Sequence, residues 1–332
     1  MKKGMTDTNQ YGKTVQKQKA ESAIQKKVII DTDPSADDAI ALMLALASPE
    51  LQVLGMTAAY GVCDSDRSIR NIMKIQELCE RPEIPAVKGA KAPLSRPMEF
   101  DDAYCGPDGL SCTGLSEPEK SPEKTEAFRW MGDMIKAHPG EVFIISMAPM
   151  TNLALMLQNA PETAGLTAGI FTISGGYGLN PDHGRLNPRP EWNIAQDPEA
   201  ASAVFSSGIP ITAAGLDVTS RLEDSMMDRL LSEAGEGKKT DFLRQAVQFN
   251  LEHGLNPSSL LVDSAAVALT AFPDMAKTAR GGVLVETKGE YTTGQTLFGN
   301  SGRFKALPQN VSAAWEYDWN RLIRLLTERV FI

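Results

Sequence analysis

The strongest constraint in this chain is an alternation. Short runs rich in β-branched residues are followed, again and again, by segments with the apolar spacing of a helix. The run "VIID" (28–31) predicts a strand and Asp37 to Ala47 a helix. "LQVLGMTAAY" (51–60) predicts the next strand, and Ser65 to Cys79 carries Ile69, Ile72, Met73, Ile75, Gln76 and Cys79 at helical spacing. The pattern resumes with "EVFIISM" (141–147), a helix from Thr151, "IFTIS" (170–174), a helix from Asp197, and "IPITAAGLD" (209–217). A helix between two strands returns the chain to the end of the sheet it left, so the strands it joins run parallel. The expected fold is therefore α/β, an open and mostly parallel sheet flanked by helices.

Two stretches interrupt the alternation. Residues 82–122 and 175–196 are rich in Pro and Gly, weak in periodicity, and too long for simple connections. Loops of that kind usually form sites. A helical part is expected over about 222–271, and no internal repeat or linker divides the chain. Residues 1–26 are polar and rich in Lys and Gln and read as a disordered leader, leaving 27–332 as a single domain.

The formal net charge of −9 argues against nucleic acid or an anionic membrane as partner, since both select clustered Lys and Arg. No unbroken apolar run reaches the length of a membrane span. Cys63, Cys79, Cys105 and Cys112 lack C-x-x-C spacing and are few for 332 residues, which points to reduced thiols and a cytoplasmic protein.

The chemistry concentrates in "VIIDTDPSADDAIALMLALA" (28–47). Asp31, Asp33, Asp37 and Asp38 fall within eight positions, between an expected strand end and the first turn of a helix. Capping and the helix dipole account for Asp37 and Asp38. They do not account for Asp31 and Asp33, because carboxylates gathered in one buried loop repel and are driven to take up protons. A bound cation removes the difficulty. Oxygen donors without His or Cys nearby select Ca²⁺ or Mg²⁺ over zinc. On spacing alone, metal binding and a cap-plus-turn role both remain open.

The same stretch resembles the Asp-x-Asp-Pro-Gly-x-Asp-Asp-Ala signature of the nucleoside hydrolase family, the inosine-uridine preferring hydrolases and their relatives. "APMTNLAL" (148–155), "SGG" (174–176), "EWNIAQDPEAA" (191–201) and "GLDVTS" (215–220) are similar to further family segments, in the family's order. The resemblance implies a single nucleoside hydrolase-like domain with one Ca²⁺ at the floor of the site. Asp33, Asp38 and Asp263 would be carboxylate ligands and the Thr151 carbonyl a further one. It also implies that Asp33 takes the proton of the attacking water, that Asp37 grips a ribose hydroxyl, and that Glu191 and Asn193 hold the others. Taken singly, Glu191, Asn193 and Asp263 would read as helix caps. Family members are commonly dimers or tetramers, so a homodimer or homotetramer is expected, with a nucleoside or related N-riboside as the small-molecule partner.

The base-facing half departs from the pattern. Val262 stands where the family usually carries a His before its last aspartate ligand, and a valine cannot donate a proton. Cys105 stands where a second His is usual. A lone Cys is more often a small hydrophobe than an acid, yet Cys105 remains a candidate substrate contact. Val62 replaces an Asn, Ser35 the signature Gly, and Ser174 a Met. Arg185, Asn187, Asn180 and His183 compete for the family's Gly-Asn position and for the base, while Trp192, in place of a Phe, is expected to pack beneath the site. His138 and His253 read as surface positions near helix ends. Two alternatives follow: a non-catalytic ribose- or nucleoside-binding protein that retains calcium, and an aspartate-nucleophile phosphohydrolase. The latter calls for Gly-Thr soon after Asp-x-Asp, where this chain has Pro34 and Ser35.

Overall fold

The computed structural model describes residues 25–98, 102–179 and 190–332. Strand β1 (Lys26–Thr32) leads into helix α1 (Ala36–Leu46), β2 (Leu51–Ala58), α2 (Ser65–Leu78) and the short β3 (Ala86–Lys88). One helical turn, α3 (Asp102–Cys105), stands in the long connection to α4 (Ala127–Ala137). Then follow β4 (Val142–Ser146), α5 (Thr151–Asn159), β5 (Gly169–Ile173), α6 (Trp192–Gln196), α7 (Pro198–Phe205), β6 (Ile211–Ala214) and α8 (Leu216–Thr219). Helices α9 (Asp224–Glu233), α10 (Lys238–Glu252) and α11 (Ser264–Ala271) make up the expected helical part, with a 3-10 turn at Pro257–Leu261 before α11. The chain closes with β7 (Ala276–Val285), β8 (Thr296–Gly299), β9 (Val311–Tyr317) and α12 (Trp319–Arg329).

Among the described residues the strands form one sheet in the order β3-β2-β1-β4-β5-β6-β9-β7-β8. Every pair from β3 through β9 is parallel, and β7 is antiparallel to both β9 and β8. The expected mostly parallel α/β sheet is therefore the observed one. The antiparallel edge was not anticipated: β7 alternates weakly and carries Gly281 and Gly282 in its interior, which blurs a strand signal. β1 starts at Lys26, one residue inside the expected leader, and residues 1–24 lie outside the described part. The expected strand 209–217 is shorter, because Leu216–Thr219 form a helical turn.

Chain order reverses between β1 and β4: the sheet grows through β2 and β3 on one side, and through β5 and β6 on the other. The loops after β1 and β4 diverge there and open a crevice at the carboxyl ends of the strands, the usual place for a ligand in such a sheet. Both sheet faces are covered. Ile30 and Ile145 face a core shared with α1, α11 and α12, and Ile29, Ile144 and Ile170 face one shared with α4, α5 and α7.

Helix α1 is buried nearly all round, from Ala39 to Ala45, and packs against α11, "SAAVALTA", which is equally buried. Small alanine side chains on both helices permit the close approach. This packing lays the start of α11 beside the start of α1, and both starts carry aspartates.

Candidate active site

At the switch point a cleft of about 310 Å³ is lined by the loops after β1, β2, β4, β5 and β6, by Tyr104 of α3, and by Val262 and Asp263. Its acidic lining is Asp33, Asp37, Asp38, Glu191 and Asp263, and no Lys, Arg or His side chain faces it among the described residues.

Each carboxylate has a distinct local anchor. Asp33 Oδ2 accepts the Val62 backbone N–H at 2.8 Å. A Cβ on Gly61 would lie 1.7 Å from that same oxygen, so the approach requires glycine there. Asp38 accepts from the Thr32 hydroxyl at 2.5 Å and from the Ser35 N–H at 3.2 Å. Asp37 accepts from the Ser35 hydroxyl on one oxygen and from the Tyr104 hydroxyl, at 3.3 Å, on the other. Asp263 occupies the N-cap position of α11 yet makes no side-chain cap hydrogen bond. Capping thus does not explain it. Carboxylate oxygens of Asp37, Asp38 and Asp263 all lie within 4.8 Å of one another.

So dense a cluster perturbs its own ionisation. Burial first, then Asp37, pushes the Asp38 carboxyl up to about 8, and burial followed by Asp38, Asp37 and Asp33 raises Asp263 well above the carboxylate range. Asp33 is raised by burial and then by Asp38. The fit to a hard divalent cation rests on this set: buried, oxygen-only, unbalanced by a side-chain cation, with one carboxylate that has no other employment.

Asp31, the first of the four, does not face the cleft. It is fully buried in the floor, where Oδ1 accepts from Thr57 at 2.5 Å and Asn152 Nδ2 at 2.8 Å, tying β1 to β2 and α5. Burial pushes its carboxyl up to about 7.

Glu191 caps α6, accepting from the N–H groups of Asn193 (2.9 Å), Ile194 (3.1 Å) and, across the loop, Gly175 (3.1 Å). Burial nonetheless pushes it up to about 7. The cap reading of Glu191 therefore holds together with its place on the cleft. Asn193 spends its Nδ2 on the carbonyls of Met147 (3.0 Å) and Ile173 (3.2 Å), so its amide oxygen is what it can offer a ligand.

The Thr151 hydroxyl donates to Asp197 and meets Tyr60 deep in the floor, and Met147, just after β4, lines the cleft nearby. Two expectations need correction. Cys105 is 1% exposed, packed with Val62 and Cys63, and absent from the wall; its neighbour Tyr104 takes that position. Trp192 lines the cleft but is 41% exposed and does not pack beneath the site, because the buried positions of α6 are Asn193, Ile194 and Gln196. Arg185, Asn187, His183 and Asn180 lie outside the described residues.

Besides Tyr104 and Met147, sequence reasoning missed Ile173, Leu216 and Thr219, which line the cleft with Val62 and Val262. "GLDVTS" had drawn notice as a motif, but nothing local said which of its residues turn inward.

Comparison with known proteins agrees with this geometry. The family profile described as inosine-uridine preferring nucleoside hydrolase matches residues 28–324. A pyrimidine-specific ribonucleoside hydrolase of Salmonella schwarzengrund is 35% identical over 314 residues, covering 91% of this chain and 97% of the relative. Among solved structures, a plant nucleoside hydrolase superposes with a TM-score of 0.82 at 29% identity, covering 92% of this chain and 99% of the other. A purine-preferring ribonucleoside hydrolase from Gardnerella vaginalis gives 0.80 at 26% identity, covering 92% and 98%.

Proposed function

The chain belongs to the inosine-uridine preferring nucleoside hydrolase family, and from that premise we propose that it catalyses calcium-dependent hydrolysis of the N-glycosidic bond of a ribonucleoside or related N-riboside, releasing ribose and the base. The observation that carries the reading is the convergence of Asp33, Asp37, Asp38 and Asp263 in one cleft at the switch point of the sheet.

Asp33, Asp38 and Asp263 would hold the ion, with the Thr151 backbone carbonyl as a further ligand. When bound, Ca²⁺ supplies polarisation of a water molecule and an anchor for sugar hydroxyls. Asp33, held by the Val62 N–H, accepts the proton of the attacking water. The water oxygen bonds to the anomeric carbon as the bond to the base nitrogen breaks, and the bonding pair leaves with the base. Positive charge grows on the sugar ring along this path, and the acidic cleft lining stabilises it. Asp37 grips one ribose hydroxyl; Glu191 and the amide oxygen of Asn193 hold the others.

Among the described residues the remaining lining is apolar apart from the hydroxyls of Ser35, Tyr104 and Thr219 and the Trp192 indole, and Val262 supplies no acid to the departing base. Pyrimidine ribonucleosides head the substrate panel because the Salmonella relative is named for them. We assign the protein to the cytoplasm, as a homodimer or homotetramer. Among the described residues no helix is long and apolar enough to cross a membrane.

The test is release of reducing sugar from a panel of nucleosides and p-nitrophenyl riboside, with calcium and after chelation. Calcium-dependent release supports the proposal. Saturable binding of nucleosides with no release from any compound would favour the non-catalytic binding protein.

A further inference from the structure

Asp37 differs from its acidic neighbours in how it is held. Both of its oxygens are occupied by neutral hydroxyls, Ser35 on Oδ1 and Tyr104 on Oδ2 at 3.3 Å. Ser35 stands at the N-cap of α1 with φ of −100°, a conformation that needs no glycine, and its side chain is therefore available to Asp37. Tyr104 comes from α3, far from α1 in the chain. The Ser259 hydroxyl lies within hydrogen-bonding reach of its phenol, and Ser259 is itself held by donating to the Asn256 carbonyl at 2.7 Å. Buried Cys105 anchors the next position of the same turn.

We propose that Ser35 and Tyr104 form a two-hydroxyl clamp that fixes the Asp37 carboxylate toward one sugar hydroxyl and so sets how strongly the enzyme distinguishes ribose from a deoxygenated sugar. The inference rests on the reading above in which Asp37 grips a ribose hydroxyl. The physical need is plain. Asp37 shares a 4.8 Å cluster with Asp38 and Asp263, whose repulsion would swing an unrestrained carboxylate toward water. A Lys or Arg would hold it but would also cancel the negative charge that the cationic transition state uses. Neutral donors hold the group and leave its charge in place. A carboxylate has about four lone-pair directions, so one bond to each oxygen leaves acceptor capacity for the sugar. Ser35 and Tyr104 are accordingly positioning residues, acting through Asp37.

The test uses the full chain with calcium present and the variants Tyr104→Phe and Ser35→Ala, assayed on uridine, 2′-deoxyuridine and 3′-deoxyuridine. Losing one such hydrogen bond is expected to raise KM for uridine by roughly 3–10-fold with little change in kcat. On the deoxynucleoside that lacks the hydroxyl read by Asp37, the same substitutions are expected to change KM less than twofold. Equal losses on all three substrates, or a loss confined to kcat, would overturn the clamp and point to Tyr104 acting on the departing base. No change on any substrate would also overturn it. Thermal melts check folding, and if one variant fails to fold the other carries the same comparison. If the unsubstituted protein releases sugar from neither the nucleosides nor p-nitrophenyl riboside, the hydrolase reading fails independently; where uridine turnover is too slow for KM, the same ratios are read as Kd for the three compounds.

Discussion

Asp38, in the first turn of α1, and Asp263, at the N-cap of α11, bring carboxylate oxygens within 4.8 Å of one another because two alanine-rich helices pack side by side. Neither helix needs both charges. Asp263 makes no cap hydrogen bond, and burial together with the neighbouring aspartates raises it well above the carboxylate range. The arrangement opposes folding in the absence of a cation, and that opposition can be measured.

The first prediction concerns pH. With Asp38 pushed up to about 8 and Asp31 and Glu191 to about 7, the metal-free folded protein binds more protons than the unfolded chain, whose carboxyls titrate near 4. Stability must then fall as pH rises from about 4 to about 8. Calcium competes with those protons, so its stabilising effect is expected to be larger at pH 8 than at pH 5. Melting curves with EDTA and with calcium at both pH values test this, and a metal-free protein that grows more stable over the same rise would contradict it.

Asp263→Asn is expected to separate function from stability. It removes a ligand and a buried like charge at once, so hydrolysis and the calcium-induced rise in melting temperature should both disappear. Metal-free stability should increase by about 1 kcal/mol, or roughly 2–4 °C. A variant that still responds to calcium would refute the ligand assignment.

Asp33→Asn removes the proposed base while keeping an oxygen toward the ion. Turnover is expected to fall ~10²–10⁴-fold while nucleoside affinity changes far less. Single-turnover rates and equilibrium binding read the two separately, and unchanged turnover would discard Asp33 as the base.

Gly61→Ala tests the geometry of that base. The added methyl would occupy the space of Asp33 Oδ2, 1.7 Å away, and force the carboxylate off the Val62 N–H. Activity should drop to the level of Asp33→Asn, whereas Ala at Gly114, where a Cβ would meet nothing within 4 Å, should leave turnover within about twofold despite its strained φ of +67°.

The leaving group provides the last prediction. Val262 lines the cleft where the family pattern carries a His, so slow or absent hydrolysis of inosine and uridine is expected beside measurable hydrolysis of p-nitrophenyl riboside. The missing acid is typically worth ~10²–10⁴-fold in rate, and an activated phenolate does not need it. Efficient cleavage of inosine without preference for the activated riboside would mean that another group protonates the base.

What the sequence determined by itself was local in origin. The alternation of strand and helix patterns implied the parallel sheet, because periodicity acts over a few neighbouring residues, and the resemblance to nucleoside hydrolase segments marked Asp33, Glu191 and Asp263. The tertiary structure decided what those residues face. Asp31 and Asp33 lie two positions apart on one strand end, yet Asp31 sinks among Thr57 and Asn152 while Asp33 opens onto the cleft. Tyr104 rather than Cys105 reaches the wall because aperiodic connections take their orientation from the elements packed against them. The charge cluster itself joins Asp37 and Asp38 to Asp263 only through the contact of α1 with α11, and proximity between such distant segments has no local signal in the chain.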